Sequence, residues 1–268
     1  MSKIKDKFLE LAAKNQKALI AYVMVGYPSM KGTFSAVRGL VNGGVDIIEL
    51  GMPFSDPLAD GPIIQNASTV SLQKGITLEQ FFSTVKKIRK ETDLPLVLMT
   101  YTNLLYRQGY KKFMSMAKKV GIDGFVLPDM SLEESKEYLK AARQKKVDTI
   151  FLASPNTDKQ RMKKISRACS GFLYLVSLYG TTGKQQKIQQ YTLQAIKNAK
   201  KIVDKKIPFA VGFGISNSSQ ARKFIKLGAD GVIVGSAFLR LMENTSSREI
   251  ESKTESFARS LKKATRIQ

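Results

Sequence analysis

A pattern typical of a buried strand ends in one carboxylate, Glu49. The run 45–50 reads VDIIEL, so the glutamate stands at the end of an otherwise aliphatic segment. If strand alternation turns the side chain inward, desolvation raises its pKa and lets it exchange protons near neutral pH. The structural alternative is a glutamate paired with a cation at a strand end, because Glu is rarely buried alone. We interpret Glu49 as a candidate acid–base group.

The loop after this run carries two further carboxylates, Asp56 and Asp60. Its sequence, GMPFSDPLADGP, contains Pro53, Pro57 and Pro62. Proline fixes the backbone φ angle, so we expect a loop held in one shape. Aspartates in loops commonly form turns or caps, and that interpretation stays open for both. Asp60 is the stronger candidate for a functional role.

Two glycine-rich elements follow the last two strand-like runs. They are GFGIS (212–216), which contains Gly214, and GSA (235–237), which begins with Gly235 and Ser236. Glycine lets backbone N–H groups approach an anion, and a helix N-terminus favours negative charge. In barrels of parallel strands, phosphate is often held after strands seven and eight. The pair predicts a phosphate site, although two ordinary glycine turns would look similar. The segment GTTG (180–183) resembles a mobile lid, which is a weaker signal.

Short apolar runs alternate with helical patterns along the whole chain and must position these groups. The eight runs are Ala18–Val25, Val45–Leu50, Pro95–Thr100, Asp123–Leu127, Asp148–Leu152, Phe172–Ser177, Pro208–Gly212 and Asp230–Gly235. Strict alternation favours a parallel sheet with right-handed crossovers. A (β/α)₈ barrel typically needs ~250 residues. We therefore predict an α/β fold in which residues 1–268 form a single (β/α)₈ (TIM) barrel of eight parallel strands, with an extra N-terminal helix.

The composition excludes several kinds of chemistry. The chain has no histidine and a single cysteine, Cys169. This excludes Ser-His and Cys-His pairs, histidine-based metal sites and an internal disulfide. The strand-like runs contain no lysine, which argues against a Schiff-base nucleophile at a strand end. Carboxylate acid–base chemistry on a phosphorylated small molecule remains, and we expect neither a metal nor a cofactor.

The net charge is strongly positive at +22. Such a charge suggests nucleic acid or an anionic membrane as a partner. The lysines are spread over helix-like segments, however, and few aromatic residues lie among them as a base-stacking surface would require. No apolar run reaches the ~20 residues of a membrane span, and the N-terminus lacks a signal-peptide core. We expect a solvated basic surface, no nucleic-acid or membrane partner, and a cytoplasmic location.

The order of the motifs carries a family resemblance. The segment 49–67 reads ELGMPFSDPLADGPIIQNA, and it is followed by MTYTN (99–103), LPD (127–129), GFLYLVSLYGTTG (171–183), VGFGIS (211–216) and ADGVIVGSA (229–237). This series resembles the tryptophan synthase α-subunit family over nearly the whole chain. The string PFSDP-x-ADGP-x-IQ is highly specific, whereas the glycine-rich elements occur in many phosphate-binding barrels.

The resemblance implies a carbon–carbon lyase of tryptophan biosynthesis. Its reaction would split indole-3-glycerol phosphate into indole and glyceraldehyde 3-phosphate in a retro-aldol cleavage. By matched position, Glu49 would transfer the protons, and Asp60 would accept the indole N–H and stabilise positive charge on the ring.

The same matches imply binding residues and a partner. The residues that bind the substrate and its phosphate would be Tyr22, Tyr101, Leu127, Tyr174, Thr182, Gly183, Gly214, Gly235 and Ser236. Pro53 and Asp56 would contact a pyridoxal-phosphate-dependent β subunit in an α₂β₂ tetramer.

Two other functions stay open on the residues alone. Another phosphate-binding barrel enzyme would explain the glycine loops but would leave the loop between Glu49 and Asp60 without a role. A basic barrel that binds nucleic acid, or that serves only as an allosteric partner, would explain the charge. Binding through phosphate contacts weakens steeply with salt, which would identify that second function.

Overall fold

The computed structural model describes residues 2–176, 190–203, 206–212, 214–243 and 245–266. Within these ranges no helix has both the length and the apolar character that a membrane crossing requires.

Nine strands in the described ranges form one sheet in which every pairing is parallel. They are β1 (Ala18–Met24), β2 (Ile47–Gly51), β3 (Leu96–Met99), β4 (Gly124–Val126), β5 (Asp148–Ile150), β6 (Leu152–Ala153), β7 (Leu173–Val176), β8 (Phe209–Gly212) and β9 (Gly231–Val234). Their order is β5-β4-β3-β2-β1-β9-β8-β7-β6. The two outermost strands, β5 and β6, are separated in the chain only by Phe151, so the sheet closes on itself. The predicted (β/α)₈ barrel is confirmed.

The predicted fifth strand differs from the observed one. It is broken at Phe151 into β5 and β6. The backbone N–H of Phe151 donates to the Sγ atom of Cys169, at 3.4 Å, instead of to a strand carbonyl. Its carbonyl still accepts the N–H of Tyr174 at 3.0 Å. One side-chain acceptor thus interrupts the ladder without opening the barrel.

The helices surround this sheet. Those in the described ranges are α1 (Lys3–Ala13), α2 (Met30–Asn42), α3 (Pro62–Gln73), α4 (Leu78–Glu91), α5 (Thr102–Gln108), α6 (Tyr110–Val120), α7 (Lys136–Lys145), α8 (Lys159–Ala168), α9 (Gln190–Ile202), α10 (Ser218–Lys226), α11 (Ser236–Glu243) and α12 (Ile250–Ala264). The strands are buried along nearly their whole length, as parallel strands covered on both faces should be.

The predicted N-terminal helix is α1, and it covers the end of the barrel at which the strands begin. Ile4 is fully buried there. Its side chain packs so closely on Gly124 that a β-carbon at this glycine would lie 2.8 Å from Ile4 Cδ1. The helix therefore belongs to the core of the fold.

Four aspartates lie at the starts of strands, at the same end of the barrel as α1. We call them the floor aspartates: Asp46, Asp123, Asp148 and Asp230. Asp46 accepts the backbone N–H of Leu19 at 2.7 Å and pairs with the ammonium of Lys262 at 2.7 Å. A strand-start carboxylate of this kind joins its own strand to the next one.

Two of the other floor aspartates, Asp123 and Asp230, also accept a backbone N–H from a neighbouring strand and pair with a cation. Asp123 pairs with the guanidinium of Arg89 at 2.8 Å, and Asp230 pairs with Lys17 at 2.8 Å. Asp148 instead accepts hydrogen bonds from two hydroxyl groups, those of Ser170 (2.9 Å) and Ser2. Each floor aspartate thus has polar partners that compensate for its burial.

Candidate active site

Glu49 lies on β2 and is buried in the barrel. Its side chain is only 1 % exposed, and among the described residues neither carboxylate oxygen has a hydrogen-bond partner. Burial raises its pKa from 4.5 to about 8, and the negative charge of Asp60 acts in the same direction. A carboxyl group with this pKa holds a proton near neutral pH and can also release it.

Asp60 is the second buried carboxylate, and it lies in the loop between β2 and α3. It is 3 % exposed, and its Oδ2 atom accepts a hydrogen bond of 2.9 Å from the hydroxyl of Tyr101. Burial raises the pKa of Asp60 to about 6, while the hydrogen bond from Tyr101 acts against that rise. Burial raises the pKa of both carboxylates; the charge of Asp60 adds to the rise at Glu49, and the hydrogen bond from Tyr101 limits the rise at Asp60.

The loop that carries Asp60 is fixed at both of its ends. The hydroxyl of Ser68, on α3, bonds both to the N–H and to the carbonyl of Phe54, at 2.8 Å each. The ring of Phe54 stacks on that of Tyr101, with centroids 5.0 Å apart and planes 24° apart. The Tyr101 hydroxyl accepts the N–H of Ala59 at 3.2 Å. The shape expected from the prolines is thus supported by side chains from α3 and from the end of β3.

The tip of this loop faces outward. Asp56 is exposed, and Leu58 is 89 % exposed, which is unusual for a large apolar side chain. Pro53 is buried within the chain itself. Of the two residues predicted to contact a partner, Asp56 is accessible on the surface and Pro53 is buried.

The predicted pocket residues Tyr22, Leu127 and Tyr174 are all buried. The pKa values of Tyr22 and Tyr174 are raised well above 10, first by burial and then by the charges of Glu49 and Asp60. The two tyrosines and the two carboxylates therefore share one electrostatic environment. Together they form the aromatic and acidic interior of the barrel.

Two glycines make room for the tyrosines. A β-carbon on Gly51 would lie 2.1 Å from the Tyr22 hydroxyl, and one on Gly212 would lie 2.4 Å from the Tyr174 hydroxyl. No side chain fits at such a distance. Each aromatic ring occupies the space left by the glycine of a neighbouring strand.

The predicted phosphate-binding residues are only partly described. Gly214 has a φ angle of +77°, a left-handed conformation that favours glycine. Gly235 follows β9 directly, and Ser236 is the first residue of α11. Thr182 and Gly183 lie outside the described residues. The phosphate site stays a prediction.

Asp129 is a residue to which the sequence assigned no role. Both of its carboxylate oxygens accept the backbone N–H of Thr102, at 3.0 and 3.1 Å, and one also accepts the Thr102 hydroxyl at 2.9 Å. Its partner is 27 positions away, so no local motif reveals the contact. The only signal is that Tyr101, at the start of α5, is a poor capping residue.

Comparison with known proteins decides the family. The family model described as "Tryptophan synthase alpha chain" matches residues 8–266. A protein of that name from Methanosarcina acetivorans is 45% identical over 260 residues, which cover 97% of this chain and 93% of that protein. The chain belongs to the tryptophan synthase α-chain family.

Solved structures agree with this assignment. A protein from Aquifex aeolicus VF5 covers 100% of both chains with a TM-score of 0.90 and 35% identity. A chain of the tryptophan synthase complex from Pyrococcus furiosus gives a TM-score of 0.85 at 36% identity, and the match covers 92% of this chain and 98% of that one. The resemblance found in the motifs is confirmed.

The tryptophan synthase α chain is a lyase of tryptophan biosynthesis that cleaves indole-3-glycerol phosphate. It works with a β subunit, and pyridoxal phosphate belongs to that subunit. In the described part of this α chain, no three His, Cys, Asp or Glu side chains are grouped as a metal site would need.

Proposed function

We propose that Glu49 and Asp60 carry out the cleavage with separate roles. The observation that carries this proposal is the pair of buried carboxylates, one without a donor among the described residues and one with a single neutral donor. Two carboxyl groups whose surroundings separate their pKa values commonly act as a proton carrier and as a charge stabiliser.

Glu49 is the proton carrier. It gives its proton to C3 of the indole ring and takes the proton of the side-chain hydroxyl as the carbon–carbon bond breaks. The bonding electrons return to the ring, the hydroxyl carbon becomes the aldehyde, and Glu49 ends with the proton it began with. A pKa of about 8 supports both transfers near neutral pH.

Asp60 is the charge stabiliser. With a pKa of about 6 it is mostly ionised at neutral pH. It accepts the indole N–H and stabilises the positive charge that develops when C3 is protonated. In a buried site this interaction is stronger than it would be in water.

The remaining pocket residues bind the two ends of the substrate. Tyr22, Tyr101, Leu127 and Tyr174 flank the indole ring, which fits their burial around the carboxylates. The phosphate binds at the backbone of Gly214 and Gly235 and at Ser236, where α11 begins, together with Thr182 and Gly183. The left-handed backbone of Gly214 and the helix start support this placement.

The exposed loop tip is the proposed contact with the β subunit. Asp56 and Leu58 present a charged and an apolar side chain on the same loop that carries Asp60. We infer an α₂β₂ assembly in which the β subunit acts on this loop. We further propose that the chain itself needs no cofactor, works in the cytoplasm and forms one domain over residues 1–268, whose sheet draws strands from both halves of the sequence.

The experiment is to supply indole-3-glycerol phosphate and to measure release of indole and glyceraldehyde 3-phosphate, with the β subunit at saturation. We expect Glu49→Gln and Asp60→Asn each to lower kcat by roughly 10²-fold or more without unfolding the chain. Glu79→Gln, at an exposed site on α4, is the matched control and should be unchanged. Normal turnover in folded Glu49→Gln would contradict the proposed proton transfer.

A further inference from the structure

Helix α5 begins without a cap from its own N-cap residue. That residue is Tyr101, and its side chain makes no capping hydrogen bond. The helix has only seven residues, and short helices in isolation are marginal in water. Its start therefore depends on contacts from elsewhere in the fold.

Asp129 supplies the missing cap from the loop after β4. It receives the Thr102 N–H on both oxygens and the Thr102 hydroxyl on one. Hydrogen bonds to a charged acceptor are stronger than neutral ones. The first peptide N–H of α5 is thus held by a side chain of the neighbouring βα loop.

This contact restrains the backbone of Tyr101. The peptide group between Tyr101 and Thr102 is planar, so fixing the Thr102 N–H fixes rotation about the bond that precedes it, the ψ angle of Tyr101. On its other side, Tyr101 donates to Asp60 at 2.9 Å and accepts from Ala59 at 3.2 Å. A continuous series of bonded groups leads from Asp129 to the buried carboxylate.

We propose that Asp129 is a positioning residue that holds Asp60 through Thr102 and Tyr101, an inference that rests on the role proposed above for Asp60. Asp129 is exposed at the mouth of the barrel, and Asp60 is buried. Its effect on the reaction is indirect. It aligns the donor that aims the Asp60 carboxylate at the position of the developing charge.

The position of Asp60 matters most in the transition state, when the ring becomes positive. Misplacing such a group by about 1 Å can cost ~10²-fold in rate. Loss of the Asp129 cap loosens the positioning of Tyr101 without removing it, since stacking on Phe54 remains. Asp129→Ala should therefore lower kcat by about 10-fold and leave KM within about twofold, because the interaction with the Asp60 carboxylate is much stronger with the positive ring of the transition state than with the neutral ring of the bound substrate.

The decisive experiment is a double-mutant cycle on the α reaction, with the β subunit at saturation. Tyr101→Phe removes the hydroxyl that reaches Asp60. If Asp129 acts through that hydroxyl, adding Asp129→Ala to Tyr101→Phe should lower kcat by less than about twofold further, against about 10-fold in the parent chain. Asp129→Asn keeps an oxygen for the Thr102 N–H, and it should recover most of kcat.

Asp158→Ala is the matched control. Asp158 caps α8 by accepting the N–H of Arg161 at 2.9 Å, and no hydrogen bond between described residues joins it to Tyr101. This variant should keep the parent kcat. If Asp129→Ala does not fold, Asp129→Ser, whose side chain is too short to reach Thr102, replaces it.

Three results would overturn the proposal. The first is that Asp129→Ala lowers kcat equally in the parent chain and in Tyr101→Phe. The second is that Asp129→Ala changes only KM. The third is that Asp158→Ala lowers kcat as much as Asp129→Ala does. The role proposed for Asp60 is tested separately. If Asp60→Asn keeps its activity, that role fails; if Asp60→Asn is inactive and the cycle is additive, only the positioning by Asp129 fails.

Discussion

Carboxylates at the two ends of the barrel differ in their hydrogen-bond and charge partners. At the end where the strands begin, each floor aspartate receives hydrogen bonds, and Asp46 has a lysine ammonium at 2.7 Å. At the end where the loops form the site, Glu49 has no hydrogen-bond donor among the described residues, and the Asp60 carboxylate accepts one hydrogen bond, from the hydroxyl of Tyr101. The chemical group is the same, and its partners differ.

This difference shows that burial alone does not make a carboxylate reactive. Burial raises the pKa of Asp46, but the charge of Lys262 and the Leu19 N–H counteract the rise. Nothing among the causes that shift the pKa of Glu49 opposes its rise to about 8. A carboxylate with a cation and an N–H donor links neighbouring strands. A buried carboxylate without such partners has a raised pKa, so it holds a proton that it can transfer.

Breaking a floor pair should cause the largest loss of stability. Lys262→Met leaves Asp46 buried without its cation, and we expect a loss of about 3 kcal/mol in the free energy of unfolding. Urea unfolding at pH 7 measures it, and kcat of the folded variant should be unchanged. Lys253→Met, which removes an exposed pair with Glu249 at 3.5 Å, should cost less than about 0.5 kcal/mol. If the two variants lose similar free energies of unfolding, the buried floor pair is no more important for stability than an exposed pair.

Removing the carboxyl group of Glu49 should stabilise the chain, and in a pH-dependent way. Because the folded pKa of about 8 exceeds the ordinary value of 4.5 for a glutamate, the native state binds more protons between these pH values, so stability falls as pH rises through that window. Glu49→Gln has no carboxyl group to titrate at this position, so it does not lose stability in this way. It should unfold roughly 10 °C above the parent at pH 8 and at nearly the same temperature at pH 4.

Thermal unfolding of both proteins across this pH range, in one buffer series, checks the expectation. The contributions of all other groups cancel in the difference between the two unfolding temperatures. A difference that stays constant from pH 4 to pH 8 would show that Glu49 does not have a raised pKa in the folded state.

The smallest effect should come from Asp148, the floor aspartate without an ion pair among the described residues. Its hydrogen bonds to described side chains come from the hydroxyl groups of Ser2 and Ser170, and Asn keeps one oxygen that accepts from Ser170. Asp148→Asn should therefore cost about 1 kcal/mol or less by urea unfolding at pH 7. Asp46→Asn leaves Lys262 buried without a counter-charge and should cost more. If the two variants lose the same stability, the cation is not what distinguishes the floor sites.

Much of the fold was predictable because strand and helix patterns alternate along the chain. Each of the eight strand-like runs overlaps at least one observed strand. The break at Phe151 was not predictable, since it depends on the Sγ atom of Cys169, which lies 18 positions away. The sequence also showed an aspartate at the start of several strands but not the cations that pair with them.

The site was predictable where a residue type at a strand end limits the chemistry. Glu49 follows an aliphatic run, so its burial and raised pKa could be expected from alternation. The bond between Tyr101 and Asp60 joins two loops that are 41 positions apart, and only the closed barrel brings them together. The contact of Asp129 with Thr102 was not predictable either, because from the sequence Asp129 is an ordinary loop residue.

The close fit of two glycines against two tyrosines constrains how the sequence can vary over evolutionary time. A β-carbon at Gly51 would meet the ring and hydroxyl of Tyr22, and one at Gly212 would meet those of Tyr174. Alanine can therefore be accepted at either glycine only after the facing aromatic residue has become smaller. The order of mutations matters, so in each pair the tyrosine must change first, and related chains should never combine the tyrosine with a larger residue in place of the glycine.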